Sequence, residues 1–201
     1  MKVTGIICAV WFSSAVTNAV KEDNWTLTKS KDGISAYVGL AGSNGITPTK
    51  VEMAVIASPE KVVHVIANMD DYNKWVPYCK KSYTIQRVSD TASYGYQRIS
   101  APMVADRDIA VRLTVRKISS KDFEVVVTAV PNFVKSVSSA IRIQHMIARY
   151  HVYTGADKLT HIEQVNEVDI GGHIPSFLLN WANRNQPQET FENLRNQILH
   201  S

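Results

Sequence analysis

Apolar and polar positions alternate along most of this chain, and the period lengthens to that of a helix in two places. Ile34–Leu40 and Lys50–Ile56 are short β-prone runs separated by the turn-rich stretch GSNGITP. The segment SPEKVVHVIANMDDYNKWV then offers Ser58 as an N-cap and Pro59 at the first helical position. Val62, Val63 and Ile66 follow at helical spacing, so a short helix is predicted there. SYTIQRVS and SYGYQRIS, linked around Asp90-Thr91-Ala92, read as a hairpin. Ile109, Val111, Leu113 and Val115 alternate with Ala110, Arg112, Thr114 and Arg116, the pattern of a strand with one wet face. Phe123–Ala129, Ile141–Tyr153 and Leu159–Ile170 complete the β region. On the last of these, Ile162, Gln164, Asn166, Val168 and Ile170 share one face. His161, Glu163, Glu167 and Asp169 share the other with Val165. The face richer in apolar residues is expected to point inward and to carry Gln164 and Asn166 with it.

The chain closes on a long helical pattern after Gly171-Gly172, with Pro175 near its start. Ile174, Phe177, Leu178 and Trp181 lie on one face, and Phe191, Leu194 and Ile198 continue it. Pro187 falls between the two groups, and its missing N–H and crowded ring predict a kink. The element order is thus a strand pair, a short helix, about six antiparallel strands and a long helix. A curved antiparallel sheet has one apolar face to cover, and only the last helix is long enough to cover it. The expected architecture is α+β, a helix-grip fold in which the sheet wraps around the C-terminal helix and leaves an internal cavity.

Composition changes this picture in two respects. With 201 residues, 45% hydrophobic and 20% charged, the chain suits one globular domain with a sizeable core. Its first residues, MKVTGIICAVWFSSAVTNAV, have the layout of a secretory signal peptide: Lys2, an apolar run from Gly5 to Val16, then small residues near Thr17 and Ala19. The run is too short for a membrane span of about 20 residues. Cleavage is expected after Ala19, giving residues 1–19 as signal and 20–201 as the domain, on the far side of an inner membrane and most simply in a periplasm. Loss of Lys2 leaves 21 basic against 18 acidic residues, a net +3 with no block of like charge. That weak excess does not point to nucleic acid, though it is compatible with brief contact with an anionic membrane surface. Cys79 is then the sole cysteine, so no internal disulfide is expected.

The segment GGHIPSFLLNWANRNQP resembles the C-terminal helix motif of the START family of lipid-transfer domains, in particular its phosphatidylcholine-transfer branch. Two upstream stretches agree in the same order: MDDYNKWVPYC, with its tryptophan at Trp75, and PMVADRDIAV, with the pair Arg107-Asp108. The resemblance runs from about Trp25 to Leu199. It implies a helix-grip domain that holds a lipid or similar apolar molecule in an internal cavity. It also implies carriage of that molecule rather than catalysis, with no cofactor or metal. One departure matters. The phosphatidylcholine-binding branch carries an arginine and an aspartate around the tryptophan for the choline phosphate head. Here that stretch reads Tyr72-Asn73-Lys74-Trp75-Val76, so the head-group preference does not transfer.

The expected ligand contacts are Trp75, Tyr78, Arg107, Met146, Tyr150, Gln164, Asn166, Phe177, Leu178 and Trp181. Arg107 and Asp108 either pair across the cavity or anchor the strand end. Anchoring is favoured because neighbours on a strand point oppositely. The segment VPNFVKSVSSAI is longer than a hairpin needs and combines Phe133, Val134 and Val137 with Lys135. The resemblance places a mobile loop there, so these residues are expected to form a lid over the cavity mouth. No HExxH, Cys/His metal spacing, G-x-S-x-G elbow or phosphate-cradling glycine loop is present. An enzyme of the polyketide-cyclase type, working in the same helix-grip cavity, is the alternative reading. Cargo identity and oligomeric state are not legible.

Overall fold

Inward alternation of branched and aromatic side chains builds the sheet. The structure, a computed structural model, describes residues 24–172 and 174–201, with Leu178 described in its backbone alone. The predicted export signal lies outside these residues. The strands are β1 (Trp25–Lys31), β2 (Ile34–Gly39), β3 (Thr49–Val55), β4 (Cys79–Ser89), β5 (Ala92–Ile99), β6 (Asp106–Ser119), β7 (Asp122–Ala129), β8 (Ala140–Arg142), β9 (His145–Thr154) and β10 (Thr160–Asp169). They form one sheet in the order β1-β2-β3-β10-β9-β7-β6-β5-β4, with β8 off this path against β6. Pairing is antiparallel throughout except between β6 and β8. The α+β helix-grip arrangement is therefore the one the hydrophobic pattern predicts.

Between β3 and β4 run α1 (Pro59–Ala67), a 3-10 turn (Met69–Asp71) and α2 (Tyr72–Trp75). Ser58 caps α1, its Oγ accepting from Lys61 N–H at 3.2 Å. Val62, Val63, Val65 and Ile66 turn inward. The C-terminal elements are α3 (Ser176–Arg184) and α4 (Gln186–His200). Phe191, Leu194 and Ile198 of α4 are wholly buried against α1, α2, β2 and β3. This half of the molecule is solid core, and the space under α3 is left for the cavity.

Three features differ from expectation. β1 was not foreseen because WTLTKSK is mostly polar and exposed, a solvent-facing edge strand without an inward row. The run Ile141–Tyr153 is two strands. Its first residues leave the antiparallel ladder to pair in parallel with β6, where Ile143 N–H donates to the Asp108 carbonyl at 2.9 Å. The last helix is two helices rather than one kinked helix. Pro187 cannot share a regular helix with Asn183, whose carbonyl its ring would crowd. The break falls at Asn185, which puts Pro187 in the first turn of α4, where a missing N–H goes unnoticed.

Candidate ligand cavity

The inner face of the sheet and the underside of α3 enclose a cavity of about 660 Å³. Strand alternation selects what each strand presents. β10 contributes Gln164, Asn166 and Val168, β9 contributes Met146, Ala148 and Tyr150, and β6 contributes Arg107 and Ile109. β5 adds Gln97 and Ile99, α2 adds Tyr72 and Trp75, and the loops around Ile46, Val104 and Ile170 close the rim. The inward row predicted on β10 is thus the row that faces the cavity.

Of the ten expected contacts, Trp75, Tyr78, Arg107, Met146, Tyr150, Gln164, Asn166 and Trp181 line this space. Phe177 does not: it is 55% exposed and turned away. The side chain of Leu178 lies outside the described residues. The inward face of α3 is instead set by Leu179, Ala182 and Asn183, at i, i+3 and i+4, and Gln186 at the start of α4 adds to the same lining. The adjacent Leu178 and Leu179 allow two helix faces, and apolar spacing alone does not choose between them. Trp181 settles edge-on against Tyr78, with ring centroids 5.3 Å apart.

The polar groups inside are few and specific. Gln164 Nε2 donates to the Tyr150 hydroxyl at 2.7 Å. Burial pushes the Tyr150 phenol far above its usual range, so it stays protonated at any physiological pH. Trp75 is almost fully buried, and its Nε1–H has no hydrogen-bond partner among the described residues. Gln97 is a buried lining residue that the sequence reading passed over. The register Gln97↔Ile109 would have revealed it, because it puts Gln97 on the inner face.

Arg107 and Asp108 do not pair with one another. Arg107 points inward and donates to the carbonyls of Ala105, Ile170 and Gly171, which ties β6 to the end of β10. Anchoring, the favoured expectation, is what the geometry shows. Gly171 and Gly172 have φ of +65° and +70°, and a Cβ on Gly172 would lie 2.8 Å from Ile141 Cδ1. Asp108 points to the opposite face and meets Arg142 in a bidentate pair at 2.8 Å on both oxygens.

That pair corrects the lid expectation. Arg142 also donates to the carbonyls of Pro131, Val134 and Lys135, and Arg98 Nη2 donates to Ser139 Oγ at 3.0 Å. Phe133 stacks on Tyr94 at 4.0 Å with the rings 10° from parallel. Tyr94, Arg98 and Asp108 belong to the outer rows of β5 and β6, because Gln97, Ile99, Arg107 and Ile109 take the inner ones. The segment holding Phe133, Val134 and Val137 is therefore fastened to the outer face of the sheet, and none of the three lines the cavity.

A family model for the START domain matches residues 14–196. The chain belongs to the START family. It is 25% identical over 202 residues to the uncharacterised protein PA1579 of Pseudomonas aeruginosa, covering 97% of this chain and 95% of that one. It is 26% identical over 186 residues to the phosphatidylcholine transfer protein of Rattus norvegicus, covering 89% of this chain and 83% of that one. The crystal structure of a STAR-related lipid transfer protein fragment from Xanthomonas axonopodis superimposes with a TM-score of 0.80 at 26% identity. That match covers 88% of this chain and 99% of the other.

Within this START domain, the position of Phe133 makes a definite prediction. Phe133→Ala removes a stacked pair worth about 0.5–1.5 kcal/mol beyond its buried area. Urea unfolding should register a loss of about 1–2 kcal/mol, with lipid exchange between vesicles at its original rate. Slowed exchange would return this segment to the mouth.

Proposed function

We propose that the chain encloses a lipid in this cavity and carries it through an aqueous compartment between membranes. The observation that carries the reading is the cavity itself, a largely apolar space under α3 beside a packed hydrophobic core. Burying a methylene is worth about 0.8 kcal/mol, so a 16-carbon chain gains on the order of 12 kcal/mol by leaving water. That quantity is also the barrier to unaided passage between membranes, and enclosure removes most of it. Family membership and a relative named for phosphatidylcholine transfer support carriage over chemistry.

The rim supports contact with a bilayer. Met103 is 75% exposed in the loop between Ala101 and Val104, and Tyr78 and Leu179 are also exposed while lining the cavity. Phe177, displaced from the interior, adds a further exposed apolar ring on α3. Such side chains insert into the headgroup region while cargo passes. The export signal expected at residues 1–19 supports a periplasmic site for this exchange.

Mass spectrometry of solvent extracts from the purified chain is expected to find a bound lipid. The same preparation should move a pyrene-labelled lipid from donor to acceptor vesicles. An extract free of lipid, together with no transfer of any labelled lipid offered, would sink the reading.

A further inference from the structure

We infer that the cargo is a long-chain amphiphile with an anionic oxygen head, a carboxylate or a phosphate, and that Arg107 holds its head. This rests on the lipid-binding reading above and names the class of lipid.

The charge comes first. Among the described residues lining the cavity, Arg107 and Asp169 alone carry a full charge. Asp169 is exposed at the rim, where its Oδ1 accepts Gly171 N–H at 2.9 Å. Arg107 is 4% exposed. Among the described residues no carboxylate lies within ion-pair distance of it, because both neighbouring aspartates are engaged elsewhere. Asp106 pairs with Arg98 at 2.7 Å, and Asp108 pairs with Arg142. Three of its five N–H donors meet backbone carbonyls, which leaves two donors and a full positive charge unanswered. Buried charges in folded proteins are paired or bound to ions. A carboxylate or phosphate oxygen from the ligand would supply the missing partner in charge-assisted hydrogen bonds. A neutral hydroxyl would leave the charge unbalanced.

Length comes second. Arg107 is bonded at Ile170, and the Tyr150–Gln164 pair lies at the other end of the lining row of β10. Six residues of strand separate Gln164 from Ile170, about 20 Å. An extended hydrocarbon advances roughly 1.25 Å per carbon, given bonds of about 1.5 Å, so about 16 carbons span that distance.

Orientation comes third. The unpartnered Trp75 Nε1–H is a second unsatisfied donor, but it is neutral. Hydrogen bonds to charged groups are about twice as strong as neutral ones. The anionic head therefore belongs at Arg107 by the rim, with the chain running inward.

The test compares hexadecanoate, hexadecyl phosphate, hexadecanol and dipalmitoyl phosphatidate, each titrated into the delipidated full chain by tryptophan fluorescence at neutral pH. Hexadecanoate, hexadecyl phosphate and phosphatidate are each expected to bind at least tenfold more tightly than hexadecanol. Arg107→Gln should erase most of the preference for acid over alcohol, and Arg107→Lys should retain it. Trp75→Phe should shift acid and alcohol together. An acid-to-alcohol ratio below about threefold in the wild-type chain overturns the inference without recourse to any variant, while lipid binding stands. Loss of the preference in Trp75→Phe but not in Arg107→Gln overturns it by placing the head deep. Failure of all four to bind overturns the lipid-binding reading together with this one.

Discussion

Asp108→Ala is expected to destabilise the domain by about 3–5 kcal/mol, the range seen when one partner of a buried ion pair is removed. Asp108 is wholly inaccessible, and Arg142, which it holds in two short hydrogen bonds, is nearly so. Removing the carboxylate strands the guanidinium, although the carbonyls of Pro131, Val134 and Lys135 still accept from it. The effect should therefore fall toward the lower end of that range. The same guanidinium fastens the segment carrying Phe133 to the outer face, so limited proteolysis should cut near Lys135 in the variant before it cuts the parent. The double replacement Asp108→Ala with Arg142→Met should recover part of the loss, because no buried charge remains. Equal stabilities for single variant and parent, by urea denaturation, would show that the pair contributes nothing.

The pair also sets an acid limit. Burial alone would push the Asp108 carboxyl up, but the hydrogen bonds and charge of Arg142 outweigh it and hold the carboxyl below the usual carboxylate range. A carboxylate whose folded-state value lies below its unfolded one contributes stability above the unfolded value, about pH 4. That contribution fades as pH falls toward the folded value. A pH titration of stability should therefore show a decline below about pH 4 that is shallower in Asp108→Ala.

Much of the fold was legible because its strands carry their own signal. Gln164 and Asn166 were placed on the inner row by the period of two alone, and the structure seats both against the cavity. Trp75 and Arg107 were found through motif resemblance, whereas the C-terminal helical region followed from its own apolar spacing. The failures have a common cause, since each depended on a partner distant in sequence. The face of α3 was decided by Tyr78 against Trp181, about 100 residues apart. The segment with Phe133 was drawn to the outer face by Tyr94, and Arg142 by Asp108. Apolar residues in a long connection suggest that something is covered, but not which surface. β1 shows the opposite limit, for its edge position needs no apolar row, and so WTLTKSK left no periodic trace.

Filling the cavity from two sides is expected to have the largest effect on binding. Ala148 of β9 lies opposite Val127 and Asn166 in the sheet, and Ala182 belongs to α3; both line the cavity. Each alanine-to-phenylalanine change puts a six-carbon ring into that space, so the double variant Ala148→Phe, Ala182→Phe should occupy a substantial part of it. Because the new rings enter a void rather than packed core, the usual overpacking cost of about 1–3 kcal/mol should be small or absent. Affinity for a 16-carbon chain should fall at least tenfold, and an 8-carbon chain should bind nearly as before. A domain that keeps its affinity for the longer chain after this change does not hold cargo beneath α3. A domain that unfolds shows the interior to be already full.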